Sequence, residues 1–176
     1  MSQNQATLAG GCFWCTEAVF QEVKGVETVV SGYSGGTSDN PSYMQMHYQD
    51  TGHSECIQIT FDPGVISYED ILKIFYYTHN PTTFDQDGAN FGREYRSIIF
   101  YHGENQKAIA ENVTNNFASK IWDNPIVTQI KPLEKFWPAE DEHQNFYKNN
   151  SKNPYCQIII NPKLAKFRDK FQQYLK

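Results

Sequence analysis

The stretch LAGGCFWCTEAVF, Leu8 to Phe20, places Cys12 and Cys15 three positions apart, directly after a glycine pair and with Phe13 and Trp14 between them. A cysteine that follows Gly-Gly at a strand-to-helix turn meets outward-pointing backbone N–H groups and the positive end of a helix dipole. Both favour thiolate over thiol, so Cys12 is a candidate nucleophile; the alternative is a small residue filling a tight turn. The C-x-x-C spacing also occurs in zinc sites and thioredoxin-like redox centres. Zinc needs two further ligands at matching spacing, and Cys56 and Cys156 stand isolated, so no metal is expected. Two bulky aromatics between the cysteines argue against a thioredoxin-like pair.

A second group with chemistry is Glu55. In ECIQITFDP it shares its parity with Ile57, Ile59 and Phe61, so in an unbroken strand it lies on the apolar face. A carboxyl at the mouth of such a face is partly desolvated, which raises its pKa toward that of a general acid. If the strand starts after Glu55, the carboxylate is solvated instead. Parity sends Cys56 to the opposite face, the least favoured partner for Cys12. A Cys/His hydrolase or acyltransferase would need His53 as base, and a non-catalytic peptide-binding module would use the 15% aromatic content as a groove. His79, His102 and His143 read as structural or surface residues.

The elements that must position these groups alternate along the chain. ATLAGG reads as a strand and CFWCTEAVFQEV as a helix with Phe13, Phe20 and Val23 turned inward. VETVVSGY, ECIQITFDP and YRSIIFYH read as strands, and YCQIIINP as a further strand near the end. Ser67 with Asp70 resembles a capping box opening YEDILKIFYYTHN, and Ile109, Val113 and Phe117 line one face of a later helix. Leu164, Phe167, Phe171 and Leu175 give a C-terminal helical stripe. The expected fold is α+β, a two-layer α/β sandwich with a mixed sheet, flanking helices and a C-terminal helix, in one domain spanning residues 1–176. Two long polar connections, residues 31–55 and 79–97, are rich in glycine and tyrosine, and long ordered loops are usually functional. If they converge over Cys12, they bring it hydroxyl donors and aromatic walls.

The formal net charge of −5 and the lack of a Lys/Arg block argue against a nucleic-acid partner. No apolar run reaches membrane-span length and the first residues lack a secretion-signal pattern, so a cytoplasmic monomer with reduced thiols is expected.

Six motifs, GCFW (Gly11 to Trp14), GYSGG (Gly32 to Gly36), NPSY (Asn40 to Tyr43), TGHSE (Thr51 to Glu55), YRS (Tyr95 to Ser97) and AEDEHQ (Ala139 to Gln144), occur together and in order. In this the chain resembles the peptide methionine sulfoxide reductase A family over nearly its whole length. The resemblance implies reduction of methionine-S-sulfoxide in peptides. Cys12 would be the nucleophile, Glu55 the proton donor to the sulfoxide oxygen, and Tyr43 and Tyr95 its hydrogen-bond donors. Phe13 and Trp14 would form the pocket for the S-methyl group. The sulfenic acid left on Cys12 would condense with a second thiol and be recycled by thioredoxin, with no organic cofactor.

Asn90 departs from the family, which commonly carries an aspartate there; an asparagine hydrogen-bonds without charge, and Asp85 or Asp87 is available to take the role. The resolving thiol stays open between Cys156, placed like the recycling cysteine of many relatives, and Cys15, where many relatives have glycine. A Cys12–Cys15 bridge would distort the first helical turn, so Cys156 is favoured.

Overall fold

A computed structural model of the chain describes residues 4–176. The strands are β1 (Gln5–Ala9), β2 (Val26–Ser34), β3 (Ser54–Phe61), β4 (Gln86–Asp87), β5 (Asn90–Phe91), β6 (Ile98–Tyr101), β7 (Gln129–Pro132) and β8 (Trp137–Pro138). The main sheet has the order β7-β6-β1-β3-β2-β8, with β6 and β7 parallel and the other neighbours antiparallel; β4 and β5 form a separate hairpin. The helices are α1 (Phe13–Gln21), α2 (Tyr43–Tyr48), α3 (Tyr68–Thr78), α4 (Glu104–Val113), α5 (Ser119–Ile121), α6 (Phe146–Asn149) and α7 (Asn161–Lys170). This is the mixed sheet with flanking helices that the alternation of patterns predicts.

Strand parity divides the core. Ala6, Leu8, Ile57, Ile59 and Ile99 face the helical layer and share its cluster with Phe13, Phe20, Phe75, Leu164 and Phe167. Ala9, Cys56, Ile98 and Phe100 face the other way under Leu133 and Phe136. Glu55 lies within β3 and is 1% exposed, so the strand is unbroken at its start and the carboxyl sits on the side of Ile57. Cys56 lies on the opposite face, as its parity requires.

The helix ends follow local chemistry. The Ser67 hydroxyl accepts the Asp70 N–H at 3.0 Å at the start of α3, one half of the expected box. Ser42 and Gln45 make the full reciprocal box that starts α2. YCQIIINP is helical: Cys156–Ile160 form a π turn that runs into α7. The β-branched run suggests a strand, but Cys156, Ile160, Leu164, Phe167 and Phe171 are all buried, at helical spacings of four, four, three and four. Tertiary packing of that stripe overrides the local preference. No helix among the described residues is long and apolar enough to cross a membrane.

Candidate active site

The site is built where β1 gives way to α1. Gly11 has φ of +84°, a conformation that favours glycine, and the space a side chain would take there is filled by the Asp87 carboxylate. Cys12 follows as the N-cap of α1, its backbone extended (φ −62°, ψ 125°) and its carbonyl accepting the N–H groups of Cys15 and Thr16. Cys12 therefore lies outside the helix proper. Its sulfur has freedom to approach Cys15 that two residues inside a helix lack.

The next residue ties the turn to β3: the Phe13 N–H donates to Glu55 Oε1 at 3.0 Å. Burial raises Glu55 above the ordinary carboxyl value, against the contacts with His47 and the Phe13 N–H. It is a carboxyl held toward its acid form, the direction its parity implied. The thiols behave otherwise than the helix dipole alone suggests. Cys12 is 5% exposed, and this burial pushes its thiol well up, with Cys15 and Glu55 adding to the effect. Cys15 is lowered, first by its hydrogen bond with Cys12 and then, against burial, by Lys163. Loss of water at Cys12 outweighs the first-turn dipole.

The long connections do converge here. Their first segment carries α2, which brings Tyr43 over the site with its ring 6.3 Å from that of Phe13 and 5.9 Å from that of Trp14. Glu140 fixes this helix by accepting the Tyr43 N–H at 3.0 Å and the Tyr33 hydroxyl at 3.1 Å. Tyr95 arrives on the one-turn 3-10 helix Arg93–Tyr95. Burial, with Glu55 and Cys12 nearby, pushes both the Tyr43 and the Tyr95 phenols far up, so each stays a donor.

The AEDEHQ segment completes the aromatic wall. Gln144 bonds the backbone of Ser31 through both ends of its amide (2.9 and 2.8 Å), and His143 Nδ1 accepts the Trp14 indole N–H at 3.3 Å while stacking on Tyr43. Phe146 lies flat on Trp14 with ring centroids 3.7 Å apart.

Asn90 stands on the Cys15 side of the site. Its Nδ2 donates to the Tyr155 hydroxyl at 3.1 Å, and that hydroxyl lies 3.6 Å from Cys15 Sγ. Of the two alternative aspartates, Asp87 is the one beside the Cys12 turn, where it is paired with Lys163 at 2.7 Å; Asp85 sits in a left-handed turn with φ of +49°. Cys156 is fully buried, which raises its thiol, with Cys15 adding to the effect.

Sequence reasoning missed His47, Glu94, Glu140, Phe146, Tyr155 and Lys163. Their partners are distant in sequence, and no local spacing announces them. His143, read as structural, belongs to the site wall. His53 has both ring nitrogens engaged, Nδ1 accepting the Gly36 N–H at 3.0 Å and Nε2 bonding the Ser38 carbonyl at 2.6 Å. It organises the loop and is not free to serve Cys12 as a base.

A thiol beside a buried carboxyl, phenol donors and an aromatic wall suits chemistry at a polarised sulfur–oxygen bond. Comparison with known proteins agrees. The family model for peptide methionine sulfoxide reductase matches residues 4–175. The chain is 50% identical over 166 residues to peptide methionine sulfoxide reductase MsrA of Sulfolobus acidocaldarius, covering 94% of each. Its fold matches reduced Mxr1 of Saccharomyces cerevisiae with a TM-score of 0.79 at 28% identity, over 86% of this chain and 88% of that one. Methionine sulfoxide reductase A of Corynebacterium diphtheriae matches with a TM-score of 0.76 at 29% identity, over 84% of this chain and 75% of that one. The chain belongs to the peptide methionine sulfoxide reductase family, enzymes that reduce methionine sulfoxide.

Proposed function

We propose that the chain reduces the S epimer of peptide methionine sulfoxide through a sulfenic acid on Cys12. The observation that carries this reading is the Phe13 N–H bond to Glu55, which fixes a buried carboxyl beside the Cys12 turn, where the Phe13, Trp14 and Tyr43 rings pack together. The S-methyl group packs against Phe13 and Trp14, and the sulfoxide oxygen takes hydrogen bonds from Tyr43 and Tyr95. Cys15, whose surroundings favour its thiolate, enters as the thiolate and takes the Cys12 proton as the Cys12 sulfur attacks the sulfoxide sulfur and Glu55 protonates the oxygen. The S–O bond breaks, the oxygen leaves with Cys12 as Cys–SOH, and methionine departs two electrons richer. The second thiol then attacks the Cys12 sulfur, and its proton leaves with the hydroxide as water. The balance is one sulfoxide reduced, one disulfide formed, and Glu55 left one proton short.

The extended N-cap conformation of Cys12, one turn before Cys15, supports Cys15 as the first thiol to condense, with the buried Cys156 next in line. Thioredoxin as reductant, a cytoplasmic location, a single domain and a monomeric state belong to the same reading and rest on the family and the sequence. Asn90 acts on the Cys15 side through Tyr155. No prosthetic group enters any step.

The test is a single turnover of wild type and Cys12→Ser with separate S and R epimers and no added reductant. One equivalent of methionine from the S epimer alone, and none from the variant, is expected. Wild type inert toward both epimers overturns the reading.

A further inference from the structure

His47 stands between two carboxyl groups, and the mechanism above does not use it. Its Nε2 lies 3.4 Å from Glu55 Oε2 and its Nδ1 lies 3.5 Å from Glu94 Oε1. Nε2 is buried and, among the described residues, has no well-formed hydrogen bond, so a small ring rotation toward Glu55 meets no competitor. Exposure separates the three: the side chain of Glu55 is 1% exposed, while His47 at 21% and Glu94 at 17% reach water. Both line an open cavity of about 310 Å³ together with Asp50, Thr51, His53 and Arg93. Glu55 itself is sealed on the other side by the Phe13 N–H. A proton that leaves Glu55 for the sulfoxide oxygen has His47, 3.4 Å from Oε2 and open to water, as an adjacent titratable neighbour.

We infer that His47 is a second proton holder of the site: its imidazole, braced by Glu94, shares the proton that Glu55 delivers and takes the replacement from the open cavity. This rests on Glu55 as the acid. The charged and titratable groups around the ring are Glu55 from β3, Glu94 and Tyr95 from the 3-10 turn, Tyr43 on its own helix, and His143 from the wall. Arg93 at the cavity is paired with Asp50 at 3.0 Å, so its charge is balanced there. Contact with Glu55, aided by Glu94, holds His47 above the ordinary histidine value against burial, as sharing a proton requires.

A pair that shares one proton loses it at a higher pH than the carboxyl alone, because a second protonation microstate is populated. The alkaline limb of the single-turnover rate is therefore set by the pair. The experiment measures methionine release from the S-sulfoxide peptide against pH for wild type, His47→Gln and Glu94→Gln, with a ring ¹H–¹⁵N NMR titration of His47 in wild type and Glu94→Gln. The limb should move down in both variants, by about one pH unit, the coupling at which two sites titrate as a pair. The His47 midpoint should fall in Glu94→Gln. A rate that drops equally at all pH, or does not change, with His47 titrating at its ordinary value, overturns the inference. The NMR titration keeps the test decisive if His47→Gln fails to fold. Glu55→Gln run alongside separates the two failures: full rate in that variant removes Glu55 as the acid, whereas its loss of rate beside unmoved limbs removes only the role of His47.

Discussion

The Phe13 N–H donates to Glu55 Oε1 at 3.0 Å, joining residues 42 positions apart, so the backbone that orients Cys12 also orients the carboxyl. A glutamine in place of Glu55 can still accept that bond but has no acidic proton. Glu55→Gln should lower single-turnover methionine release by about 10²–10⁴-fold, the range of a general acid, with little change in melting temperature. Stopped-flow assay beside calorimetry checks this; a rate within a few-fold of wild type counts against proton donation.

Tyr43 and Tyr95 approach from separate loops, and their phenols stay protonated. Each phenylalanine substitution should cost about 10²-fold in the chemical step, as for loss of one donor to a developing charge. Tyr43→Phe keeps the ring that stacks on Trp14, so KM should change far less than kcat. A loss confined to KM would assign Tyr43 to packing alone.

How much of this is written locally can be read from Glu55 and His47. Strand parity suffices to place Glu55 on the apolar face, because a strand has a period of two and Ile57, Ile59 and Phe61 fix its sense. The Gly-Gly-Cys turn likewise announces Cys12. His47 depends on the docking of α2 against β3 and the Arg93–Tyr95 turn, and nothing in NPSYMQMH signals that approach. The helix at Cys156 was legible in the spacing of Cys156, Ile160, Leu164, Phe167 and Phe171, but the isoleucine run reads locally as strand. The two-residue strands β4, β5 and β8 are too short for any periodicity to mark them.

Glu17 is a buried carboxylate, 1% exposed, that accepts the Asn145 N–H at 3.1 Å, the Phe146 N–H at 3.2 Å and the Ser31 hydroxyl at 3.3 Å. It thereby holds Phe146 flat on Trp14 while Asn145 takes a left-handed turn. Glu17→Ala orphans these donors and should destabilise the protein by about 1–3 kcal/mol. Substrate KM should rise more than kcat falls, since the wall moves and the acid does not. Unchanged stability would mean water replaces the carboxylate.

Cys12 as an extended N-cap, its carbonyl accepting the Cys15 N–H, makes the Cys12–Cys15 bridge accessible without unwinding α1. Peptide mapping after one turnover without reductant should find that bridge in wild type and in Cys156→Ser. Cys15→Ser should still release one equivalent of methionine but accumulate sulfenic acid, trapped by dimedone. A Cys12–Cys156 bridge in wild type, with no trace of Cys15, would give resolution to Cys156 through movement of the π turn.

His79 is 4% exposed, with Nδ1 donating to the Phe75 carbonyl at 2.6 Å and Nε2 accepting the Ser97 hydroxyl at 2.8 Å, the bonds of a neutral ring. Burial lowers its pKa from 6.5 to about 4. The unfolded chain therefore binds a proton that the folded one refuses between those values, and stability falls as pH drops through that window; it is fully present above 6.5. The loss by the lower end should be about 3.5 kcal/mol at most, at roughly 1.4 kcal/mol per unit. Urea midpoints across this range should slope downward with acid in wild type and more shallowly in His79→Gln, which has no proton to refuse. Equal slopes would place the acid sensitivity in other groups and show that the His79 cavity admits the imidazolium.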